Sequence, residues 1–513
     1  MLILQTIRKL GDVAIDPRKQ QRGGTGLFLG LLLLAGMLGL GGSVLAADQP
    51  PPNIVLIFTD DQGYADVGCY GAKGFRTPNL DRLAAEGTRF TQFYVAQAVC
   101  TASRAALMTG CYSNRVGMAG ALNHESRTGI HPDERLLPEI LKDRGYATAI
   151  YGKWHLGTLP VFHPGQNGFD HWVGIPYSND NGPLHPIVRG IPGLPFYEND
   201  KVIETDPDQS QFTRRFTEQA VQFIEKHRSR PFFLYLPHVM PHVPIFASEK
   251  FRGRSELGLY GDVIEELDWS IGEILAALKK HQLDNNTLVI FCSDNGPFLS
   301  YGSHAGHAEP LRGGKLTTFE GGVRVPGIIR WPGKVPANRV CDIPVCTIDL
   351  LPTITKLVGG IGPMKPIDGK DISPILFGEP GAISPHRAYF FYAGTELQAI
   401  RSGRWKLHLP HDYLEIAGKT RTDGKPANFE NLKPAAMSQS GIRGIASRHG
   451  YKVERIEMSL FDLANDPGER KNVAAQHPAV VERLQKYAEE ARAELGDSIT
   501  GRVGRGVRTC GRQ

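Results

Sequence analysis

Two apolar runs that each end in acidic residues constrain the fold of this chain most strongly. Asn53-Ile-Val-Leu-Ile-Phe58 leads into Thr59-Asp60-Asp61, and Thr287-Leu-Val-Ile-Phe-Cys292 leads into Ser293-Asp294-Asn295. Apolar runs of this length, without polar alternation, are typical of strands buried on both faces of a sheet. Helices must therefore cover the sheet on both sides.

Helix-like segments separate these runs from other strand-like runs. Residues 146–151 and 231–236 predict further buried strands, and residues 213–227 and 260–281 have apolar residues at helical spacing. The alternation predicts an α/β fold with a large mixed, mostly parallel sheet sandwiched by helices. Ligands of such sheets bind at the carboxyl ends of the strands, where both acidic pairs lie.

The pattern changes along the chain and indicates several segments. We expect a large domain over residues 48–385 and a smaller C-terminal α+β domain over residues 386–500, where short strand-like pieces precede a helix over residues 478–495. The basic, glycine-rich and polar stretch 412–455 predicts an inserted loop, and the arginine-rich end 501–513 predicts a disordered tail.

Residues 1–47 resemble a signal peptide. Basic residues precede an apolar run over residues 27–45, and Val44-Leu-Ala46-Ala47 supplies the small residues that a signal peptidase accepts. We expect export to the periplasm or secretion. A retained membrane anchor is the alternative, because the run is near spanning length, and contact with a membrane is expected only if the leader is not cleaved.

Charge and cysteine content exclude some classes of protein. The formal net charge of +5 is small for 513 residues and lies largely in the leader, so no nucleic-acid partner is expected. No Cys-x-x-Cys pair exists, which argues against a thiolate zinc site. Seven cysteines are an odd number for an exported chain, and Cys100 is the candidate for the unpaired one.

The acidic strand ends predict a metal site. If the two strands are neighbours, Asp60, Asp61, Asp294 and Asn295 converge as an all-oxygen site that suits Ca²⁺ or Mg²⁺. Adjacent carboxylates at the edge of an apolar sheet need a cation or a proton to remain there. Helix capping is the alternative for either end alone, but two matched ends favour a metal.

Basic and imidazole groups lie beside glycine or proline at other predicted strand ends and loops. Cations near a divalent metal ion repel it unless an anion lies between them, so the set predicts an oxyanionic substrate, sulfate or phosphate. Histidines can transfer protons near neutral pH. The residues of this set are Arg104, Lys153, His155, His238, His242 and Lys315.

Together these residues resemble the formylglycine-dependent sulfatases of the arylsulfatase type, within the alkaline phosphatase superfamily. The resemblance covers nearly the whole chain after the leader, and separated motifs follow the order of that family. Its motifs are Asn53-Ile-Val-Leu-Ile-Phe-Thr-Asp-Asp61, Cys100-Thr-Ala-Ser-Arg104, Leu107-Met-Thr-Gly110, Gly152-Lys-Trp-His155, Pro241-His-Val-Pro244, Ser293-Asp-Asn-Gly296, Gly314-Lys-Leu-Thr-Thr-Phe-Glu-Gly-Gly322 and Leu460-Phe-Asp-Leu-Ala-Asn-Asp-Pro-Gly-Glu469.

The resemblance implies that Cys100 does not remain a thiol. In this family a maturation enzyme oxidises the cysteine to formylglycine, whose hydrate has two hydroxyl groups on one carbon. One oxygen attacks sulfur, and loss of the proton from the other hydroxyl expels sulfate. Ala102 stands where the family most often has proline, and we still expect modification.

The resemblance also implies roles for the other residues, with catalysis in the domain 48–385. Asp60, Asp61, Asp294 and Asn295, together with the modified Cys100, would bind the metal, which is Ca²⁺ in most of the family and with Mg²⁺ as the alternative. Arg104 and Lys153 would orient the nucleophile, and His155 would be the base. His242, Lys315 and Lys153 would bind sulfate, with His242 and Lys315 supplying a proton to the leaving group. His238 and His408 resemble positions at the rim of the site, where they would contact that group, with a structural role as the alternative.

The expected substrate is a sulfated small molecule or saccharide, either an aryl or a carbohydrate sulfate ester. Selectivity among leaving groups is expected in the loops 176–200, 297–310 and 412–455. One rival function is a formylglycine-dependent phosphomonoester or phosphonate-ester hydrolase of the same superfamily. Another is a noncatalytic binder of sulfated polysaccharide, which would not need a nucleophile and a proton relay.

Overall fold

A computed structural model of the chain describes residues 50–437, 439 and 441–513. Residues 51–513 form one compact unit. The predicted signal peptide, residues 1–47, lies outside the described residues. Within the described part of the chain, no helix combines the length and apolar character needed to cross a bilayer.

Among the described residues, the strands form one large sheet and three small ones. Their bounds are β1 (Asn53–Thr59), β2 (Thr88–Tyr94), β3 (Thr128–Gly129), β4 (Ala147–Lys153), β5 (His171–Ile175), β6 (Pro195–Glu198), β7 (Lys201–Thr205), β8 (Phe232–Pro237), β9 (Thr287–Ser293), β10 (Arg324–Arg330), β11 (Arg339–Cys341), β12 (Val345–Cys346), β13 (Tyr389–Ala393), β14 (Glu396–Ser402), β15 (Trp405–His408), β16 (His411–Ile416), β17 (Tyr451–Ile456), β18 (Ser459–Asp462) and β19 (Gly511–Arg512).

Along the chain, most of the helices alternate with strands of the large sheet. Their bounds are α1 (Pro78–Ala85), α2 (Cys100–Thr109), α3 (Leu137–Lys142), α4 (Phe212–Lys226), α5 (Leu259–Lys280), α6 (Glu320–Val323), α7 (Leu350–Leu357), α8 (Ser373–Leu376), α9 (Ile442–His449) and α10 (Pro478–Leu495).

The large sheet has the order β11-β2-β10-β9-β1-β8-β4-β5-β6-β7, with β12 also paired to β2. Its centre is parallel, because β1 pairs with β8 and β9, and β4 pairs with β8 and β5, all in parallel. Strand β10 runs antiparallel to β9 and β2. The predicted α/β fold with a mixed, mostly parallel sheet is confirmed.

Alternate residues of β1 face two different apolar cores. Leu56 and Phe58 belong to one buried cluster, whereas Val55 and Ile57 belong to the other. Helix α2 packs in the first cluster, and α4 and α5 pack in the second. This arrangement explains the continuous apolar run, since both faces of the strand are covered.

The C-terminal part adds a sheet of order β13-β14-β15-β18 and the hairpin β16–β17. The helix predicted over residues 478–495 is present as α10. The division into domains at residue 385 remains a prediction. The stretch 412–455, predicted as a loop, contains α9 and most of β16 and β17, because its apolar residues pack against the second core cluster.

The structure corrects the prediction of a disordered tail over residues 501–513. Gly511 pairs with Gly129 in an antiparallel bridge between β19 and β3. Arg508 forms an ion pair of 2.7 Å with Glu134, and the backbone N–H of Arg508 donates to the carbonyl of Arg115. Arginine-rich composition suggested disorder, but Arg508 pairs with a carboxylate distant in the sequence, and Arg502 and Arg505 pair with glutamates of α10.

Candidate active site

The two acidic strand ends meet at the centre of the large sheet. Strands β1 and β9 are parallel neighbours, and Thr59 is in register with Ser293. The backbone N–H of Asp61 donates to Asp294 Oδ1 at 3.0 Å, and Asn295 Nδ2 donates to Asp61 Oδ1 at 2.7 Å. Asp61 has a φ of 64°, a left-handed conformation that is uncommon for residues other than glycine and is frequent at functional sites.

Cys100 lies beside these acidic residues as the first residue of α2. Its Sγ is 3.5 Å from Asp60 Oδ1 and 3.3 Å from Lys315 Nζ. Burial, together with the charge of Asp60, raises the pKa of the Cys100 thiol above its ordinary value. An activated cysteine nucleophile needs a lowered pKa, so these surroundings do not activate the thiol.

Three basic residues neutralise the acidic cluster. Lys153, at the end of β4, places Nζ 2.5 Å from Asp60 Oδ2. Arg104, one turn beyond Cys100 on α2, lies 2.9 Å from Asp294 Oδ2 and 3.4 Å from Asp60 Oδ2. Lys315 Nζ donates to Asp61 Oδ2 at 2.9 Å. Because all of these groups are buried, each charge depends on its partners for compensation.

The pKa values of the Asp60 and Asp294 carboxyl groups shift in opposite directions. Burial opposes ionisation of Asp60, but Lys153, His242 and Arg104 outweigh it and hold the pKa of this carboxyl well below its usual range. For Asp294, burial and the nearby negative charge of Asp60 raise the pKa to about 7. Asp294 therefore favours its ionised form less than Asp60 does.

Two histidines complete the group. His155 Nε2 donates to the carbonyl of Leu122 at 2.8 Å, because a carbonyl can only accept. Within the described part of the chain, its buried Nδ1 has no hydrogen-bond partner. Burial and Lys153 lower the pKa of His155. His242 Nδ1 donates to the carbonyl of Val243 at 2.7 Å, and its Nε2 lies 3.7 Å from Asp61 Oδ2. The unprotonated nitrogen of His155 is available as a base.

A cavity of about 490 Å³ opens above this group. Cys100, His155, His242 and Lys315 line it, whereas six other residues of the group are buried and do not line it: Asp60, Asp61, Arg104, Lys153, Asp294 and Asn295. Each loop in which the sequence predicts selectivity contributes to the wall, through Asp180 in 176–200, Phe298 in 297–310 and Arg448 in 412–455.

His238 and His408, expected either to contact the leaving group or to be structural, lie outside the cavity, which favours the structural alternative. His238 and His408 are fully buried and do not line the cavity. The Nε2 of His238 lies 3.2 Å from Ser270 Oγ on α5, and His408 Nε2 lies 2.7 Å from Glu469 Oε1. Both therefore belong to the protein interior, where neighbouring helices and the C-terminal sheet enclose them.

The loop 176–200 was expected to carry selectivity, but the polar residues in it that follow β5 were not singled out from the sequence. Ser178, Asp180 and Asn181 line the cavity from the loop directly after this strand. Strand β5 is a parallel neighbour of β4, so its carboxyl end lies at the same edge of the sheet as Lys153. The signal was present as polar residues at a strand end, although the strand itself is short.

The donor groups fit a hard divalent cation. Ligand atoms of Asp60, Asp61, Cys100 and His242 lie within 4.8 Å of one another. The buried Oδ1 of Asn295 has no hydrogen-bond partner among the residues that the structure describes, which is costly unless a cation or another donor binds it. Carboxylate and amide oxygens are the ligands that Ca²⁺ and Mg²⁺ prefer.

Comparison with known proteins agrees with this geometry. The family model Sulfatase matches residues 52–361, and the model for the C-terminal region of aryl-sulfatase matches residues 384–510. N-acetylgalactosamine-6-sulfatase of Canis lupus familiaris is 40% identical over 89% of this chain and 87% of its own. Arylsulfatase A of Homo sapiens is 37% identical over 91% of this chain and 92% of its own.

A solved structure is also similar in sequence and fold. The crystal structure of Ps i-CgsB in complex with k-i-k-neocarrahexaose is 30% identical, with a TM-score of 0.67. The match covers 86% of this chain and 92% of that chain.

Proposed function

This chain belongs to the sulfatase family and is a sulfatase, and we propose that it hydrolyses sulfate monoesters with Cys100, converted to formylglycine, as its nucleophile. The observation that carries the proposal is the position of Cys100, which faces the cavity between Asp60 and Lys315. Formylglycine supplies a hydrated aldehyde, whose two hydroxyl groups provide an attacking oxygen and a route for releasing sulfate.

The acidic cluster would hold a divalent cation. Asp60, Asp61, Asp294 and Asn295 are the proposed protein ligands, joined by the modified residue 100, with Ca²⁺ as the first candidate and Mg²⁺ as the second. When bound, such a cation supplies positive charge that polarises oxygen atoms of the substrate and of the nucleophile. The orphaned Asn295 Oδ1 and the raised pKa of Asp294 support this assignment.

The remaining residues would bind the ester and move protons. Lys315 and His242 line the cavity beside Cys100, where they can bind sulfate oxygens and supply a proton to the departing oxygen. The free Nδ1 of His155 can accept a proton from residue 100. Arg104 and Lys153, which are buried and do not line the cavity, would orient residue 100 and compensate the carboxylates.

The leaving group is proposed to be an aryl or carbohydrate alcohol. Relatives named for arylsulfatase and N-acetylgalactosamine-6-sulfatase activity support both classes, and the complex with neocarrahexaose supports a saccharide. Export with cleavage of residues 1–47, and maturation by a formylglycine-generating enzyme, belong to the same proposal.

Two measurements test it. Mass analysis of the tryptic peptide 90–104 from the native host is expected to reveal formylglycine in place of Cys100. Purified protein is expected to release sulfate from 4-nitrophenyl sulfate or from monosulfated sugars faster than it releases phosphate from 4-nitrophenyl phosphate. Unmodified cysteine throughout the sample, or faster turnover of the phosphate ester, would contradict the proposal.

A further inference from the structure

A carboxylate faces the cavity that is expected to bind an anionic ester. Asp180 lies in the loop after β5, and its side chain is 11% exposed. Its Oδ1 accepts hydrogen bonds from Ser178 Oγ at 2.5 Å and Asn181 Nδ2 at 3.0 Å. Among the residues that the structure describes, no lysine or arginine forms an ion pair with it, and its Oδ2 lies 4.0 Å from His185 Nε2.

His185 holds this loop in shape. The backbone N–H groups of Ile187 and Val188 donate to His185 Nδ1 at 3.0 and 2.9 Å. Because Nδ1 accepts, the proton of the neutral ring is on Nε2, on the side of Asp180. Asp180 is therefore oriented by its own loop before any ligand binds, with Oδ2 left to accept a further hydrogen bond.

The chemistry of this acceptor restricts what can lie beside it. An ionised carboxylate only accepts hydrogen bonds, and covering it with an apolar group would remove its hydration without replacement. Phenyl and steroid groups carry no donor next to the ester oxygen, whereas a sugar carries hydroxyl groups on neighbouring carbons. Asn123 and Asn181 also line the cavity.

The stretch 412–455 contributes apolar residues to the wall of the same cavity. Met437, Ile442 and Ile445 line the cavity from the segment around α9. A sugar ring has hydroxyl groups at its edge and C–H groups on its faces, so polar and apolar lining residues can both be satisfied by one ligand. A purely apolar leaving group would match only the apolar lining residues.

We propose that Asp180 accepts a hydrogen bond from a hydroxyl group of the leaving alcohol, and that the site thereby selects sulfated sugars over sulfated phenols and steroids. This inference rests on the proposed function, because it concerns the leaving group of the same reaction. It makes Asp180 a specificity-determining residue that acts on binding of the sugar.

The test compares wild-type protein with Asp180→Ala and Asp180→Asn. The substrates are 4-nitrophenyl sulfate, a panel of monosulfated galactose, glucose and N-acetylgalactosamine, and deoxy analogues of the sugar that is hydrolysed fastest. Loss of a hydrogen bond to a charged group should lower kcat/KM for that sugar on the order of tenfold to a hundredfold. Turnover of 4-nitrophenyl sulfate should change little, and Asp180→Asn should show a smaller loss than Asp180→Ala.

The deoxy analogues identify the partner of the carboxylate. One analogue should be a poor substrate for the wild type and should lose nothing further in Asp180→Ala, because the hydrogen bond is already absent. The matched control is Asp208→Ala, a surface carboxylate outside the cavity that, like Asp180, accepts a hydrogen bond from a serine hydroxyl. It should behave as the wild type with every substrate.

The outcomes separate this inference from the proposed function. If no sulfate ester is hydrolysed, the proposed function fails. If 4-nitrophenyl sulfate is hydrolysed but no sugar sulfate is, the inference alone is overturned. Equal losses on aryl and sugar substrates in Asp180→Ala, or equal losses with every deoxy analogue, would also overturn it.

Discussion

The Nζ of Lys315 lies 3.3 Å from the Sγ of Cys100, although the two residues are 215 positions apart in the chain. Cys100 begins α2, which follows β2, whereas Lys315 lies in the loop before α6. The backbone N–H of Leu316 donates to the carbonyl of Ala98 at 2.8 Å, so the two loops are joined next to this pair. The contact brings a permanent positive charge to the proposed nucleophile.

Replacing Cys100 with alanine removes the proposed nucleophile. We expect sulfate release to fall on the order of a thousandfold or more, while thermal unfolding stays close to that of the wild type. Cys69→Ala is the matched control, because this half-buried cysteine lies outside the cavity, and it should retain activity. Undiminished sulfate release by Cys100→Ala would contradict the proposed role.

Removing divalent cations should abolish activity and lower Tm. A ligand that binds only the folded state stabilises it by about 2.7 kcal/mol at a concentration a hundred times its Kd. We expect treatment with a chelator to lower both sulfate release and Tm, and added Ca²⁺ or Mg²⁺ to restore them. Chelator preloaded with Ca²⁺ is the control. Full activity in protein shown to be metal-free by elemental analysis would exclude the cation.

Gly152, directly before Lys153, should not tolerate a side chain. Its φ is 134°, and a Cβ atom would lie 1.9 Å from the carbonyl oxygen of Pro237 on β8. We expect Gly152→Ala to lower the free energy of unfolding by roughly 3 kcal/mol or more. Gly145→Ala is the control, since Gly145 has a φ of 80° but open space around it, and should cost about 1–2 kcal/mol. If urea unfolding shows the same loss of stability in both variants, the protein relieves the clash at residue 152 and the prediction is wrong.

His307 should contribute stability that depends on pH. Its Nδ1 donates to the buried carboxylate of Asp66 at 3.1 Å, and this hydrogen bond raises the pKa of His307 above 6.5. The contribution is therefore fully present below pH 6.5 and is lost as pH rises through the raised value. We expect the Tm difference between wild type and His307→Gln to be largest in acid and to shrink above neutrality. A difference that grows with rising pH would contradict this sign.

We expect the arginines of the C-terminal residues 501–513 to differ in their contribution to the free energy of unfolding. Arg508 donates to both carboxylate oxygens of Glu134, whose side chain is only 4% exposed. Arg508→Met should lower the free energy of unfolding by about 1.5 kcal/mol or more, because a buried carboxylate loses its main partner. Arg505 pairs with Glu494 but is 80% exposed, so Arg505→Met should change it by less than about 0.5 kcal/mol. If denaturant unfolding shows similarly small losses of stability in both variants, the ion pair of Arg508 does not stabilise the fold.

Much of the candidate site can be predicted from the sequence because strand ends carry it. Asp60, Lys153 and Asp294 each follow or end a buried apolar run, and parallel neighbouring strands bring such ends to one edge of the sheet. The same reasoning would have found Asp180, had the short strand β5 been recognised. His238 follows a strand as well, but its side chain is enclosed by α5.

The sequence by itself determined the buried strands, the acidic and basic residues at their ends and the motifs that resemble the sulfatases, because these properties depend on residues near one another in the chain. Only the tertiary structure decided that His408 pairs with Glu469, that the tail binds Glu134 and that Asp180 faces the cavity. Those outcomes depend on which distant segments pack together. Local composition does not distinguish between the possible packing arrangements, whereas burial of apolar residues and pairing of opposite charges do.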